Sequence, residues 1–429
     1  MRLIKTLATL LIPLAILVAG VELSLRLLPQ VIPLTLLQHF QPALRAGIAE
    51  ARDLPTQNDA IAMDRDDGGP LLRRYRPLTE VTWAWEFRDD GAVQSIVTDE
   101  LGFCNPPENS YQRPQIDIIA IGDSFTWCHT VPPADSWPAV LSRLSGDSVY
   151  NLGIPSIGLY EYLVILRRFG LSKQPRVVVM NMYEGNDLRD AMRYWAYRNG
   201  RGEPAEERAC DGFFCRSLGS RSYVYNLLAA GNIEYLQPRL ARRDPPPDAA
   251  FEAIDTRDLR FYYTLEFDDR DVPFNLRNAD RDEIALATAL ARGELSPTMF
   301  DAALQSFVGL AVEHEFVPVV TYTPSAHNAY AGHVRFEDPS VAPLLAAMSA
   351  QLRDYFQASA ERLGFHFLDL TGPLQDTIAA QGPQRSSQLL YYPVSIHFSA
   401  LGNRRVAEII DAFLRQLPEM PPAVDPDQG

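Results

Sequence analysis

The sequence predicts an α/β protein: a three-layer αβα sandwich around a five-stranded parallel sheet, preceded by an N-terminal membrane helix and interrupted by an insertion. From Gln115 onward, short apolar runs alternate with longer stretches whose apolar residues recur at helical spacing. Strands that alternate with helices run parallel, because each connection has to cross over, and the crossover helices cover both faces of the sheet. Ahead of this pattern, Arg2 and Lys5 precede an uncharged run from Leu7 to Val21.

A basic start followed by a short apolar run has the form of an export signal. Counting the apolar residues through Leu28, which follow Glu22 and Arg26, the stretch approaches the ~20 residues that a bilayer core requires. Residues 1–29 are therefore read as an uncleaved signal anchor, with cleavage near Val18-Ala19-Gly20 as the alternative. The positive end stays inside, which puts the main domain outside the cytoplasm. Residues 30–110 form a small module with a hairpin, Val81 to Phe87 against Val93 to Thr98, turning at Asp89-Asp90-Gly91. Residues 111–417 form the α/β domain. Its strands are Ile116 to Ile121, Val149 to Leu152, Val177 to Val179, Val317 to Tyr322 and Phe365 to Leu370. The first helix is capped by Asp135 or Ser136, and Gly170 and Gly364 close later ones. An irregular, charged insertion covers about 188–297, and the Pro-rich tail 418–429 is expected to be disordered.

Composition narrows the function. The 429 residues are 47% hydrophobic and 22% charged, a globular profile with room for a sizeable core. A net charge of −15 repels phosphate backbones, so nucleic acid is excluded as a partner. Seven scattered histidines form no metal-binding pattern, and no glycine-rich phosphate loop is present, so neither metal nor cofactor is expected. The run Asp64 to Gly68 lacks the spacing and closing glutamate of a calcium loop. In an oxidising compartment the four cysteines pair. Cys104–Cys128 and Cys210–Cys215 is the preferred arrangement among three pairings, with free buried thiols as the alternative.

Three segments carry residue types suited to acyl transfer. Gly122-Asp123-Ser124-Phe125 follows the first parallel strand, Gly185-Asn186-Asp187 follows the third, and His397 lies in YYPVSIHFSALGN just before the last helix. All three can meet at the carboxyl edge of a parallel sheet, where such folds bind ligands. A serine hydroxyl becomes a nucleophile when an imidazole takes its proton, and a tetrahedral intermediate needs donors aimed at its oxygen. The nucleophile elbow of α/β-hydrolases is disfavoured, because Thr126 stands where its last glycine belongs. His129 is read as a helix-surface residue, His327, His333 and His366 as ordinary ones, and Asp123 and Asp187 as loop-holding ones.

The order and surroundings of these segments resemble the SGNH, or GDSL-type, hydrolases, flavodoxin-like in fold, and specifically exported members with an N-terminal membrane segment. The resemblance covers about 95–415, including Leu101-Gly102-Phe103. It implies Ser124 as nucleophile, His397 as base, and an oxyanion hole built from the N–H groups of Ser124 and Ser156 with the Asn186 side chain. Two positions depart from the family. The aspartate expected two or three residues before the histidine is replaced by Ser395 and Val394, and the oxyanion glycine by Ser156. Three explanations of the missing acid stay open: the Ser395 hydroxyl holds the ring, a distant carboxylate such as Asp369 substitutes, or catalysis is lost. The expected activity is hydrolysis of an acyl ester of an envelope carbohydrate or lipid. The alternatives are O-acyl transfer to an envelope polysaccharide and a catalytically weak binding or assembly protein.

Overall fold

The computed structural model describes residues 2–32, 63–65, 73–83, 94–129, 131–198, 221–232, 261–275, 278–380, 388–393 and 395–419, with isolated positions at 36, 40, 44 and 48. The chain divides into two compact units, Met1–Gln57 with Ala205–Pro246, and Asn58–Pro204 with Pro247–Gly429.

The first helix, α1 (Arg2–Leu27), contains Pro13. Among the described residues no helix is long and apolar enough to cross a membrane. Ile12, Ile16, Leu17, Val18 and Val21 on α1 are nevertheless exposed apolar side chains. Two antiparallel pairs follow, β1 (Met63–Arg65) with β2 (Arg73–Tyr75), and β3 (Glu80–Trp83) with β4 (Gln94–Val97). The second pair is the expected hairpin, with buried Val81 opposite buried Ile96. Its turn residues 89–91 lie outside the described residues. Gly102, in the segment leading to the main sheet, has φ 86°, and a Cβ there would run into the Tyr75 carbonyl. No other residue fits that backbone.

The main domain then alternates β5 (Ile118–Ile121), α2 (Trp137–Ser145), β6 (Val149–Asn151), α3 (Leu159–Ile165), β7 (Val177–Tyr183) and α4 (Asp187–Arg198). The insertion contributes α5 (Tyr223–Gly231), β8 (Phe261–Glu266), β9 (Asp271–Asn275) and α6 (Asn278–Ala291). After α7 (Asp301–His314) come β10 (Val317–Thr323), β11 (Val334–Phe336), α8 (Val341–Leu363), β12 (His366–Asp369), α9 (Thr371–Ala380) and α10 (Ala400–Leu414). The insertion is thus more regular than its charge predicts. Its β8 pairs with β9 and with β11 in a separate antiparallel sheet.

All five expected parallel strands are present, in the order β12-β10-β7-β5-β6 and with every pairing parallel. Numbered among themselves they read 2-1-3-4-5, the doubly wound flavodoxin-like order. The central strands β5 and β7 are buried along their whole length, which is why their sequences run apolar without alternation. The third strand runs from the Val177–Val179 segment on to Tyr183, so Gly185-Asn186-Asp187 follows its end. Asn181 interrupts its apolar pattern but is satisfied inside the sheet, where the hydroxyls of Thr321 and Thr323 donate to its Oδ1 at 2.8 and 2.7 Å. Asp135 does not cap α2. Ser136 stands at its N-cap, but its hydroxyl donates to the Pro133 carbonyl instead. The Trp137 N–H donates to Asn403 Oδ1 at 2.9 Å, joining α2 to α10.

In the other unit, Glu22 explains the charge that interrupts the apolar run of α1. Its carboxylate accepts from the N–H groups of Tyr223 and Val224 at 3.0 and 2.9 Å and from the Ser222 hydroxyl, so it caps α5. Leu25, Ile32, Phe40 and Ala230 form the apolar cluster of this unit.

Cys104 and Cys128 are joined in a disulfide with Cα atoms 6.0 Å apart, while Cys210 and Cys215 lie outside the described residues. Replacing Cys104 with serine is expected to cost about 3 kcal/mol by the loop-entropy argument, measured as a lowered denaturant midpoint.

Candidate active site

Ser124 lies in a single helical turn immediately after β5, in which the N–H groups of Thr126 and Trp127 donate to the Asp123 carbonyl at 3.1 and 3.0 Å. The Asp123 side chain accepts from the Phe125 N–H at 2.8 Å, which fixes the turn's entry. Gly122 is required by space: a Cβ there would collide with the Thr126 side chain and press on the Asn181 carbonyl.

His397 meets this turn from the far end of the domain. The Ser124 hydroxyl lies 2.7 Å from His397 Nε2, and His397 Nδ1 lies 2.6 Å from the backbone carbonyl oxygen of Ser395. A carbonyl has no proton to give, so Nδ1 carries the hydrogen and donates it. Nε2 then holds a lone pair and accepts the serine proton, the tautomer that base catalysis needs. Phe125 stacks on the imidazole with centroids 4.9 Å apart.

This geometry corrects the expectation for the missing acid. The Ser395 hydroxyl is not the ring's partner; Ser395 Oγ accepts weakly from the His397 backbone N–H at 3.4 Å. Asp369 is not a substitute either, since its carboxylate accepts from Arg353 Nε at 2.5 Å and from the Thr371 N–H at 2.9 Å. It ends β12 at the sheet edge, with β10 and β7 between it and β5. At ~4.8 Å per strand that is a lateral offset of ~14 Å.

Ser156 and Asn186 lie on neighbouring loops. Ser156 has φ 63°, so serine adopts the left-handed backbone that favours glycine while retaining its N–H. Its loop is tied to the nucleophile turn where the Ile154 N–H donates to the Gly122 carbonyl at 3.1 Å. Asn186 hydrogen-bonds the Asp123 carboxyl, so nucleophile turn and amide share one anchor. The Asp187 carboxylate closes the turn after β7, accepting from the Tyr183 N–H at 2.7 Å and the Tyr162 hydroxyl at 2.8 Å. Ser156→Gly is expected to raise stability by about 0.5–1 kcal/mol, read as a higher melting temperature.

Burial pushes the Asp123 carboxyl up to about 7, and the Asp190 charge adds to this. Burial, and then the Asp123 charge, also raise Asp187. A raised folded-state pKa favours the folded form below the unfolded carboxylate value, and the benefit disappears as pH rises through about 7. The melting temperature is therefore expected to fall between about pH 4 and 7 from this source, and Asp123→Asn to flatten that slope. A wild-type slope retained in the variant would refute the assignment.

One histidine departs from its expected place. His129 is buried, not on a helix surface, and its ring centroid is 4.1 Å from that of His397. Its place five residues after the nucleophile was the available signal. His327 is also buried, with Nε2 2.8 Å from Glu283 Oε1. Glu184, Glu283 and His327 offer ligand atoms within 4.8 Å of one another, a spacing that could hold a metal ion. The Glu184 oxygens already accept from the Tyr322 and Ser349 hydroxyls, both at 2.6 Å, from the Ser325 N–H and from the Asn328 amide. They serve the protein's internal network.

The strand order, with Ser124 after the first strand, Asn186 after the third and His397 before the last helix, decides the architecture. The order is that of a doubly wound, flavodoxin-like α/β fold. No family model matches the sequence, and no curated protein matches it. Distantly similar solved structures include a lipolytic protein of the G-D-S-L family from Desulfitobacterium hafniense, at 14% identity and TM-score 0.34, covering 70% of this chain and 100% of that one. The acetyl xylan esterase AlAXEase is 13% identical with TM-score 0.35, covering 70% and 100%. TesA is 11% identical with TM-score 0.32, covering 71% and 99%. Likeness this remote transfers neither activity nor residue roles.

Proposed function

We propose that this protein is a serine esterase of the SGNH/GDSL type that cleaves an acyl ester of a cell-envelope carbohydrate or lipid through an acyl-enzyme. The observation that supports it is the 2.7 Å contact between Ser124 Oγ and His397 Nε2, with Nδ1 held by a carbonyl. Ser124 attacks the ester carbonyl as its proton passes to Nε2. The N–H groups of Ser124 and Ser156 and the Asn186 amide stabilise the oxyanion. The protonated imidazole then gives its proton to the departing alkoxide, and water repeats the sequence to release the acid. The dyad bears against the reading of a mere binding protein, since a serine–histidine contact in the productive tautomer has no use in simple binding. The test is turnover of short-chain nitrophenyl esters with covalent labelling by a fluorophosphonate. Both are expected, and the absence of both would overturn the reading.

The uncharged run Leu7 to Val21 and the exposed apolar side chains of α1 support attachment to the membrane, with the esterase domain outside the cytoplasm. The full chain is then expected to stay with membranes through alkaline carbonate washing. Release into the wash would argue against an anchor.

A further inference from the structure

The acid position is the place where this chain departs furthest from a Ser-His-Asp arrangement, and the backbone there has an unusual conformation. Ile396 has φ 61°, and of the five non-glycine residues with positive φ among the described residues it is the only β-branched one. A β-branched residue in that region is a genuine outlier, disfavoured by roughly 1–2 kcal/mol or more. Strain of this kind persists only where the surroundings enforce it.

The surroundings do enforce it. The Ile396 N–H donates to the Tyr392 carbonyl and the Tyr392 N–H to the His397 carbonyl, both at 2.8 Å, closing the turn from either end. Outside that pair, Tyr391 bridges Phe398, and the Ser399 hydroxyl donates to the Leu389 carbonyl at 2.6 Å. The Tyr391 hydroxyl donates to the Pro324 carbonyl at 2.9 Å, fastening the turn's base to the loop after β10. The Ile396 side chain is buried in the main core.

We propose that Ile396 is a positioning residue: its left-handed backbone turns the Ser395 carbonyl onto His397 Nδ1, and that carbonyl takes over the orienting role of the absent carboxylate. The inference rests on the reading of Ser124 and His397 as a catalytic dyad. The φ of residue 396 sets the direction of the Ser395 carbonyl relative to His397, so an extended residue there would turn that carbonyl away from the ring. The left-handed residue folds the peptide back, giving the 2.6 Å contact. A carbonyl fixes the tautomer as a carboxylate does, because it can only accept. It supplies a dipole in place of a full charge, so the imidazolium is stabilised less.

The test uses the full chain and three substitutions. Ile396→Pro, which locks φ near −65° and forbids the left-handed turn, is expected to lower kcat ~10²–10⁴-fold with KM within a few-fold, by analogy with loss of the orienting group in a triad. Ile396→Gly, which reaches the same φ freely, is expected to lose less than tenfold. Ser395→Asp is expected to gain less than tenfold, because a new carboxylate would have to displace the carbonyl already seated on Nδ1; any larger gain would mean that the seat is open and would overturn the proposal. Should the proline variant not fold, NMR of 15N-histidine-labelled wild-type protein decides. A protonated, exchange-protected Nδ1 on His397 with an unprotonated Nε2 supports the proposal, and the opposite tautomer sinks it. That spectrum is read without substrate, so an inactive enzyme would defeat the esterase reading while leaving the tautomer result to stand or fall by itself.

Discussion

Ser124→Ala is expected to abolish fluorophosphonate labelling and to lower kcat on nitrophenyl acetate by about 10⁴–10⁶-fold, and adding His397→Ala is expected to change almost nothing further. The two side chains act on one proton across 2.7 Å, so removing either leaves the other without a task. Independent contributions would multiply instead. A double variant as far below each single variant as each lies below wild type would show that the two residues do not work as a dyad. Residual turnover in all three variants is expected to agree, since the oxyanion donors survive in each. The His397 ring rests on Phe125, which is itself stacked on Tyr183 at 3.9 Å, so the variants should keep their fold, checked by unchanged melting.

Asn186→Ala is expected to lower kcat ~10²–10³-fold while KM moves little, the usual cost of one oxyanion donor. The donor acts on charge that exists only after Ser124 has attacked, so its loss should be felt in the transition state and not in substrate binding. Asn186→Asp is expected to be worse than the alanine. It removes the donor and adds a charge beside Asp123 and Asp187, which are already raised by burial. Equal kcat in the alanine variant and wild type would remove Asn186 from the oxyanion hole.

The sheet was legible because its central strands are buried on both faces and therefore written as unbroken apolar runs, as in Ile118–Ile121 and Val177–Val179. Asn181 interrupts the apolar pattern of the third strand, and its partners Thr321 and Thr323 come from the neighbouring strand, where no local pattern can announce them. Ser124, Asn186 and His397 were legible from residue type and strand order. The partner of His397 was not, for a physical reason: a sequence displays side chains, and the group that orients this ring is a backbone carbonyl whose direction depends on the φ of Ile396. His129 stayed hidden because a six-residue turn has no period from which to infer its inner face. The role of Glu22 as a cap for Tyr223–Gly231 was not legible either, because its partners lie some 200 residues along the chain.

The disulfide has a consequence for the site as well as for the fold. Cys128 immediately precedes His129, so the covalent tie to Cys104 also fixes the residue whose ring lies against the base. Reduction of this buried bond would therefore show in two places, as a change in the histidine signals beside His397 and as a lowered unfolding midpoint. The oxidation state of the surroundings thus becomes an input to how firmly the base is held.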